Sequence, residues 1–421
     1  MTWVRTIWGL EPRWTITPNE TAILETVKTA LDLAEPCKIE FLAQGAFNKL
    51  YTITSSQNQQ VVARVTLPID PKWKTLSEVA TLDWVSENTS LPVPRVLGYR
   101  ADRCTAIGFE WIAMEKMPGK PWADVWQTIS FPARKKKLVS RIALFCSETF
   151  DKQLRGIGNI FPAPATWADG FVDEFVNSAF ITNGFQRDIP RGPFASAREW
   201  IQARLDMAEL DCRKRLSLVG DDDSSDSDSD EEEDPEDLET ALLIIAKLKH
   251  RLDDFFPPSA SGSTKPEPSI IFHDDLNRHN LLVDESGALT AVVDWECVSA
   301  LPLFSACQYP PFLQGKPNDI EPIKSIYQHD ENGEVAELYW EHLEYFELTQ
   351  LRRFFLDEMR RLQPEWVAIF ESTQRQRDYE LAVASCDDPF MMRRILKWLE
   401  DMDSGAENIP GLEERIDNGT L

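Results

Sequence analysis

No stretch of this chain approaches the roughly 18 consecutive apolar residues that a membrane-spanning helix requires, so no membrane association is expected. Positive charge is scarce: 44 Lys and Arg stand against 70 Asp and Glu, a formal net charge of −26 over 421 residues. Such a chain is a poor partner for nucleic acid, whose phosphates call for a basic face. The one basic run, Arg134 to Lys137, is short and reads as a solvated helix face. The seven cysteines are scattered and include no CxxC pair. That argues against a zinc site or a disulfide frame and for reduced thiols. The opening MTWVRTIWGLEPRW has charges where a secretory leader needs an apolar core, and the expected location is therefore cytoplasmic. Internal repeats are absent as well. What is present is material for a large core, 43% hydrophobic residues including 14 Trp, which excludes global disorder.

Much of the negative charge is concentrated. Residues 220–239 hold 13 acidic residues and no Lys or Arg, which leaves −13 on the rest. The tract lies inside a helical region and before the residues that carry the chemistry, so it is expected to be a disordered insertion between two helices. As an alternative, it is a segment that binds a basic protein partner.

Along the chain, residues 38–54 read as two strands around a turn, and VVARVTL (61–67) as a third. Residues 73–88 have helical spacing that stops before LPVP, and strands are expected near 95–99 and 108–115. From 121 onward most segments read as helices: 133–150, 167–179, 194–217, 237–254, 334–361, 365–383 and 389–403. The exception is a β island at 270–295. The expected fold is α+β and bilobal, with a strand-rich N-lobe (1–115) and a mostly helical C-lobe (116–421). The connector MEKMPGKP (114–121) has the Gly and Pro of a hinge.

The β island reads IIFHDDLNRHNLLVDESGALTAVVDWE (270–296). Leu281–Val283 and Leu289–Val293 form a hairpin around DESG. Asn280 precedes its first strand and Asp294 follows its second, so the two meet at one end, with Asp275 on the loop entering it. Two carboxylates and an amide oxygen suit a hard cation with oxygen ligands, Mg²⁺. A remaining carboxylate can take a hydroxyl proton. The same residue types also serve as ordinary turn residues at strand ends.

HDDLNRHN (273–280) followed by VVDWE (292–296) resembles the catalytic loop and metal-binding strand end of the aminoglycoside phosphotransferase family, which has the protein-kinase-like fold. Weaker likenesses extend over AQGAFNKLYTI (43–53), SEVATLDWVSENTSLPVPRVLGY (77–99), FEWIAMEKMPG (109–119) and RGPFASAREW (191–200), the last resembling fungal members. The resemblance implies Asp275 as catalytic base, Asn280 and Asp294 as Mg²⁺ ligands, and His273 as the structural start of the loop. It implies ATP as phosphoryl donor. Arg64 stands where kinase-like folds carry a Lys that holds the α- and β-phosphates, with Glu78 as its partner. Gln44, Gly45 and Asn48 fall on the nucleotide loop, which has one Gly rather than GxGxxG. Val62 falls on the adenine pocket, with Met114 behind it and the backbone of Glu115 and Met117 at the hinge.

Asn277 replaces the catalytic-loop Lys of protein kinases, Trp-Glu replaces Phe-Gly after Asp294, and no Ala-Pro-Glu follows. A small-molecule hydroxyl is therefore the expected acceptor. Trp167, Asp169, Asp173 and Glu174 suggest an acidic pocket for a cationic amino sugar or amino alcohol. Arg64 and the sparse loop leave a second reading, a nucleotide-binding pseudoenzyme or regulatory module.

Overall fold

The computed structural model describes residues 1–421 except 7–8, 130–134, 163–170, 174–188, 220–233, 259–264, 330–332 and 406–407. It opens with a hairpin, β1 (Thr2–Thr6) and β2 (Gly9–Arg13), and a helix, α1 (Glu20–Leu31), capped by Asn19, whose side chain accepts from the Ala22 N–H. Neither the hairpin nor α1 was expected from the sequence.

Five antiparallel strands follow: β3 (Lys38–Gln44), β4 (Asn48–Thr54), β5 (Gln60–Thr66), β6 (Val96–Arg100) and β7 (Glu110–Glu115), in the order β3-β4-β5-β7-β6. The alternation of β5 decides its surroundings. Val61, Ala63 and Val65 pack with Ile23 and Val27 of α1. Val62 packs on the other face with Val79, Ile112 and Met114. Val79 lies on helix α2 (Trp73–Asn88), and Arg64 and Thr66 share that face.

Beyond the connector, β8 (Lys120–Pro121) pairs with β13 (Leu281–Val283), which pairs with β14 (Leu289–Val292). A second five-stranded sheet runs β11 (Phe171–Asp173), β10 (Gly158–Phe161), β15 (Ser299–Pro302), β12 (Pro268–Phe272), β9 (Leu154–Arg155). Helices at 136–151, 197–219, 235–255, 337–362 and 389–403 build the rest of this lobe. The fold is thus α+β and bilobal, with a strand-rich N-lobe and a mostly helical C-lobe, as the sequence indicates. Helix α2 is tied across the lobes. Asn159 of β10 donates to Ser77 Oγ (3.1 Å) and to the Val298 carbonyl (2.9 Å), and accepts from Ser299 Oγ (3.2 Å).

Three expectations are corrected. Within the segment read as a helix over 167–179, the described residues Phe171–Asp173 form β11, paired antiparallel with β10; sheet pairing overrides the local helical spacing. The helix expected over 365–383 is two, Pro364–Ser372 and Gln374–Ala384. The two part at Thr373, whose hydroxyl donates to the Ile369 carbonyl (2.7 Å). The acidic tract is not an insertion to its end. Asp234 caps the helix Pro235–Phe255, accepting from the Glu236 N–H (2.9 Å), and Glu236 and Asp237 sit in the first turn, where the helix dipole favours negative charge. The remainder of the tract, 220–233, lies outside the described residues, as does Arg134 of the basic run; the run is not a solvated face throughout, because Lys135 is buried, paired with Glu347 and 3.7 Å over the Trp126 ring.

Candidate active site

The catalytic-loop segment is held by one apolar peg and a set of neutral hydrogen bonds. Leu276 is buried, and its carbonyl accepts from the Phe312 N–H (3.0 Å). Asp275, next to it, is exposed. Asp275 Oδ1 accepts from Asn277 Nδ2 (2.7 Å), and Oδ2 accepts from Asn280 Nδ2 (2.9 Å), which also reaches the Asp275 carbonyl (2.8 Å). Two neutral donors orient the carboxylate without neutralising it. Because Asn280 spends its N–H groups on Asp275, its amide oxygen is the atom left for a cation.

The hairpin brings Asn280 and Asp294 to one end, as its strand pattern requires. Leu281 pairs with Val292, and the Val293 N–H donates to the Asn280 carbonyl (3.0 Å). Between Asp294 and Glu296 sits Trp295, fully buried, its indole donating to the Val292 carbonyl (3.0 Å) and packing on Phe145 and His273. With the Trp sunk in the core, the carboxylates on either side are turned away from it. Asp294 adopts φ 64°, unusual for a residue with a side chain. Its carboxyl is raised by burial, which Arg64 only partly offsets. A divalent cation would relieve that cost, and the oxygen donors of Asp294 and Asn280 fit Mg²⁺. Among the described residues no group of three or more His, Cys, Asp or Glu is set to hold a metal.

His273 is buried, with Nε2 3.5 Å from the Val293 carbonyl. Burial pushes its pKa down to about 4, so it is a neutral packing residue at the start of the loop.

Facing Asp294 is a buried charge cluster. Arg64 is 4% exposed, Lys74 1% and Glu78 2%. Arg64 Nη1 donates to Glu78 and lies 3.4 Å from Asp294 Oδ1. Its Nη2 donates to Glu296 Oε2, which also accepts from Lys74 Nζ and from Asn48 Nδ2 (2.7 Å). Burial pushes Glu78 up to about 7 against the pull of Arg64 and Lys74. Burial pulls Glu296 the same way, but Arg64 and Lys74 outweigh it and hold that carboxyl at about 2. Arg64 is raised overall by its carboxylate partners despite its burial.

The structure therefore brings Arg64, Glu78 and Asp294 together, and Asp275 with Asn280. Asn48 turns inward rather than toward a loop ligand, its Oδ1 accepting from Thr66 Oγ1 (2.7 Å). Gln44 is exposed, and the Gly45 N–H closes the turn on the Asn48 carbonyl (3.0 Å). A Cβ on Gly45 would meet nothing within 4 Å, so the turn itself does not demand glycine. Val62 and Met114 are buried side by side, and Met117 is half-buried beyond them. The Glu115 N–H is taken by the Arg95 carbonyl (3.0 Å), so a base edge there would meet the Glu115 carbonyl. Trp167, Asp169 and Glu174 lie outside the described residues, as does the side chain of Asp173. Sequence reasoning missed Lys74, Glu296 and Asn277. One signal was available: Lys74 and Glu78 are four residues apart and so share a helix face.

Residues 191–303, which include the whole β island, match the model of the phosphotransferase enzyme family. The resemblance to the aminoglycoside phosphotransferases is borne out. The chain is similar to several fungal proteins. One is a subtelomeric hrmA-associated cluster protein of Aspergillus fumigatus, 25% identical over 314 residues, 64% of this chain and 59% of that protein. Another is the clavilactone A biosynthesis cluster protein Y of Ampulloclitocybe clavipes, 25% identical over 63% of this chain and 62% of that one. A third is the altered inheritance of mitochondria protein 9, mitochondrial, of Clavispora lusitaniae, 22% identical over 65% of this chain and 50% of that one. The chain thus spans less than two thirds of the length of each of these relatives. Among solved phosphotransferase structures, an amicoumacin kinase in complex with AMP-PNP, Ca²⁺ and its ligand is 12% identical, with a TM-score of 0.43 and coverage of 96% of this chain and 94% of that one. No described helix is long and apolar enough to cross a membrane.

Proposed function

We propose that the protein transfers a phosphoryl group from ATP, with Mg²⁺, to a hydroxyl of a small molecule. The observation that carries this reading is the exposed Asp275 carboxylate, oriented by Asn277 and Asn280 on the loop that leads to Asp294. The acceptor hydroxyl attacks the γ-phosphorus as its proton passes to Asp275, and the bond to the β–γ bridging oxygen breaks to release ADP. Asn280 Oδ1 and Asp294 would hold Mg²⁺, which when bound neutralises phosphate charge. Arg64, fixed by Glu78, supplies the fixed positive charge at the nucleotide end. Val62 and Met114 form an apolar wall for the base, with the backbone of Glu115 and Met117 at its edge and the turn Gln44–Asn48 above the phosphates. Asp274 and Asp275, adjacent and exposed, favour a cationic acceptor such as an amino sugar or amino alcohol. The seven free cysteines suit a reducing compartment, and a cytoplasmic location is part of the proposal.

The test is ATP consumption against a panel of hydroxylated amines, with Asp275→Ala as the control. Loss of the positioned base should cost about 10²- to 10⁴-fold in turnover while ATP still raises the melting temperature. Unchanged turnover in Asp275→Ala would sink the assignment.

A further inference from the structure

Arg64 is over-subscribed. Its Nη1 goes to Glu78 and its Nη2 to Glu296, while Nε is buried with no hydrogen-bond partner among the described residues. A guanidinium grips phosphate through a fork of parallel N–H groups, and both ends of this fork already meet carboxylates. Glu296 is not equally dependent on Arg64. Its Oε2 also accepts from Lys74 and from Asn48 (2.7 Å), so three donors converge on one oxygen. Three donors on one anionic oxygen is the coordination a phosphate oxygen receives. Lys74 is almost fully buried, with Nζ over the Phe47 ring at 5.9 Å and its donors directed to Glu296 and to Asn48 Oδ1 (3.4 Å).

We propose that Glu296 is an internal stand-in for a nucleotide phosphate, and that Lys74 is the positioning residue that lets it yield. The inference rests on the phosphotransferase reading above. When a phosphate takes Arg64 Nη2, the Glu296 carboxylate keeps Lys74 and Asn48 and is not left as an unpaired buried charge. Without Lys74, releasing Arg64 would strand a carboxylate in a dry site, which is strongly unfavourable. The pair therefore sets how tightly triphosphate binds, with Glu296 acting against binding and Lys74 for it.

Equilibrium titration of ATP, with chelator present so that no divalent cation contributes, separates this from a plain brace between the lobes. Glu296→Gln keeps the shape and removes the charge, and it should bind ATP about tenfold tighter than the unmodified chain. Lys74→Met should bind about tenfold weaker. In the Glu296→Gln background the Lys74→Met effect should vanish, because the carboxylate that Lys74 serves is gone. Equal or weaker binding by a folded Glu296→Gln chain, checked by its melting curve, overturns the stand-in. A Lys74→Met loss that persists in the double variant overturns the role of Lys74. Both results leave the phosphotransferase reading intact; absence of ATP binding by the unmodified chain removes that reading and the inference with it.

Discussion

The two ends of the candidate cleft are built from opposite materials. At one end Arg64, Lys74 and Glu78 are sunk in protein, and Glu296, its side chain 14% exposed, joins Arg64 to Lys74. At the catalytic loop Asp275 is exposed and held by the neutral amides of Asn277 and Asn280. Buried charges depend on one another, because each was removed from water on the strength of its partner. Hydrogen bonds from neutral amides to an exposed carboxylate contribute about 1–2 kcal/mol each and can be lost singly. The first end should be intolerant and unable to relax; the second should be adjustable in sequence while keeping its geometry.

That contrast can be broken by measuring stability at each end. Arg64→Met leaves Glu78 and Glu296 without their shared partner, and urea denaturation should show a loss of about 3–5 kcal/mol. A loss below about 1 kcal/mol would mean that the cluster is hydrated and the contrast false.

His273 lies between the two ends and reports on burial through pH. Its folded pKa, about 4, is below the ordinary 6.5, so the unfolded chain binds more protons between those values. Its contribution is complete above about pH 6.5 and is lost as pH falls toward 4, by up to about 3 kcal/mol. Melting curves of the unmodified chain and His273→Gln across that window should differ in slope, with the variant flatter.

The smallest effect is expected at the loop. Asn277→Ala removes the donor to Asp275 and the acceptor for the His279 N–H (2.8 Å), at a cost of about 1–2 kcal/mol in stability. A loss as large as that of Arg64→Met would erase the distinction between the two ends.

Much of this was legible in the residues. The alternation of VVARV assigned both faces of β5, because a strand has a period of two and each face met a different helix. DESG between two apolar runs gave the hairpin and hence the meeting of Asn280 with Asp294. Lys74 was legible only as the helix-face neighbour of Glu78: a lysine between Trp73 and Thr75 reads as helix surface, and its burial depends on Glu296, 222 residues away. Trp-Glu after Asp294 registered as a departure from Phe-Gly, although the Trp is a core residue and the Glu a charge partner. The break at Thr373 carries no Pro or Gly, and β11 exists because a neighbouring strand pairs with it, which local periodicity does not encode.

Trp295 has a consequence of another kind. Its indole is wedged against Phe145 and His273, and the carboxylates of Asp294 and Glu296 are carried on its two flanks. The two acids are therefore ganged, as teeth on one key. A change of volume at Phe145, well behind the cleft, would rotate that key and move both acids in the same stroke. Substitutions in the hydrophobic interior can thus shift Asp294 and Glu296 together.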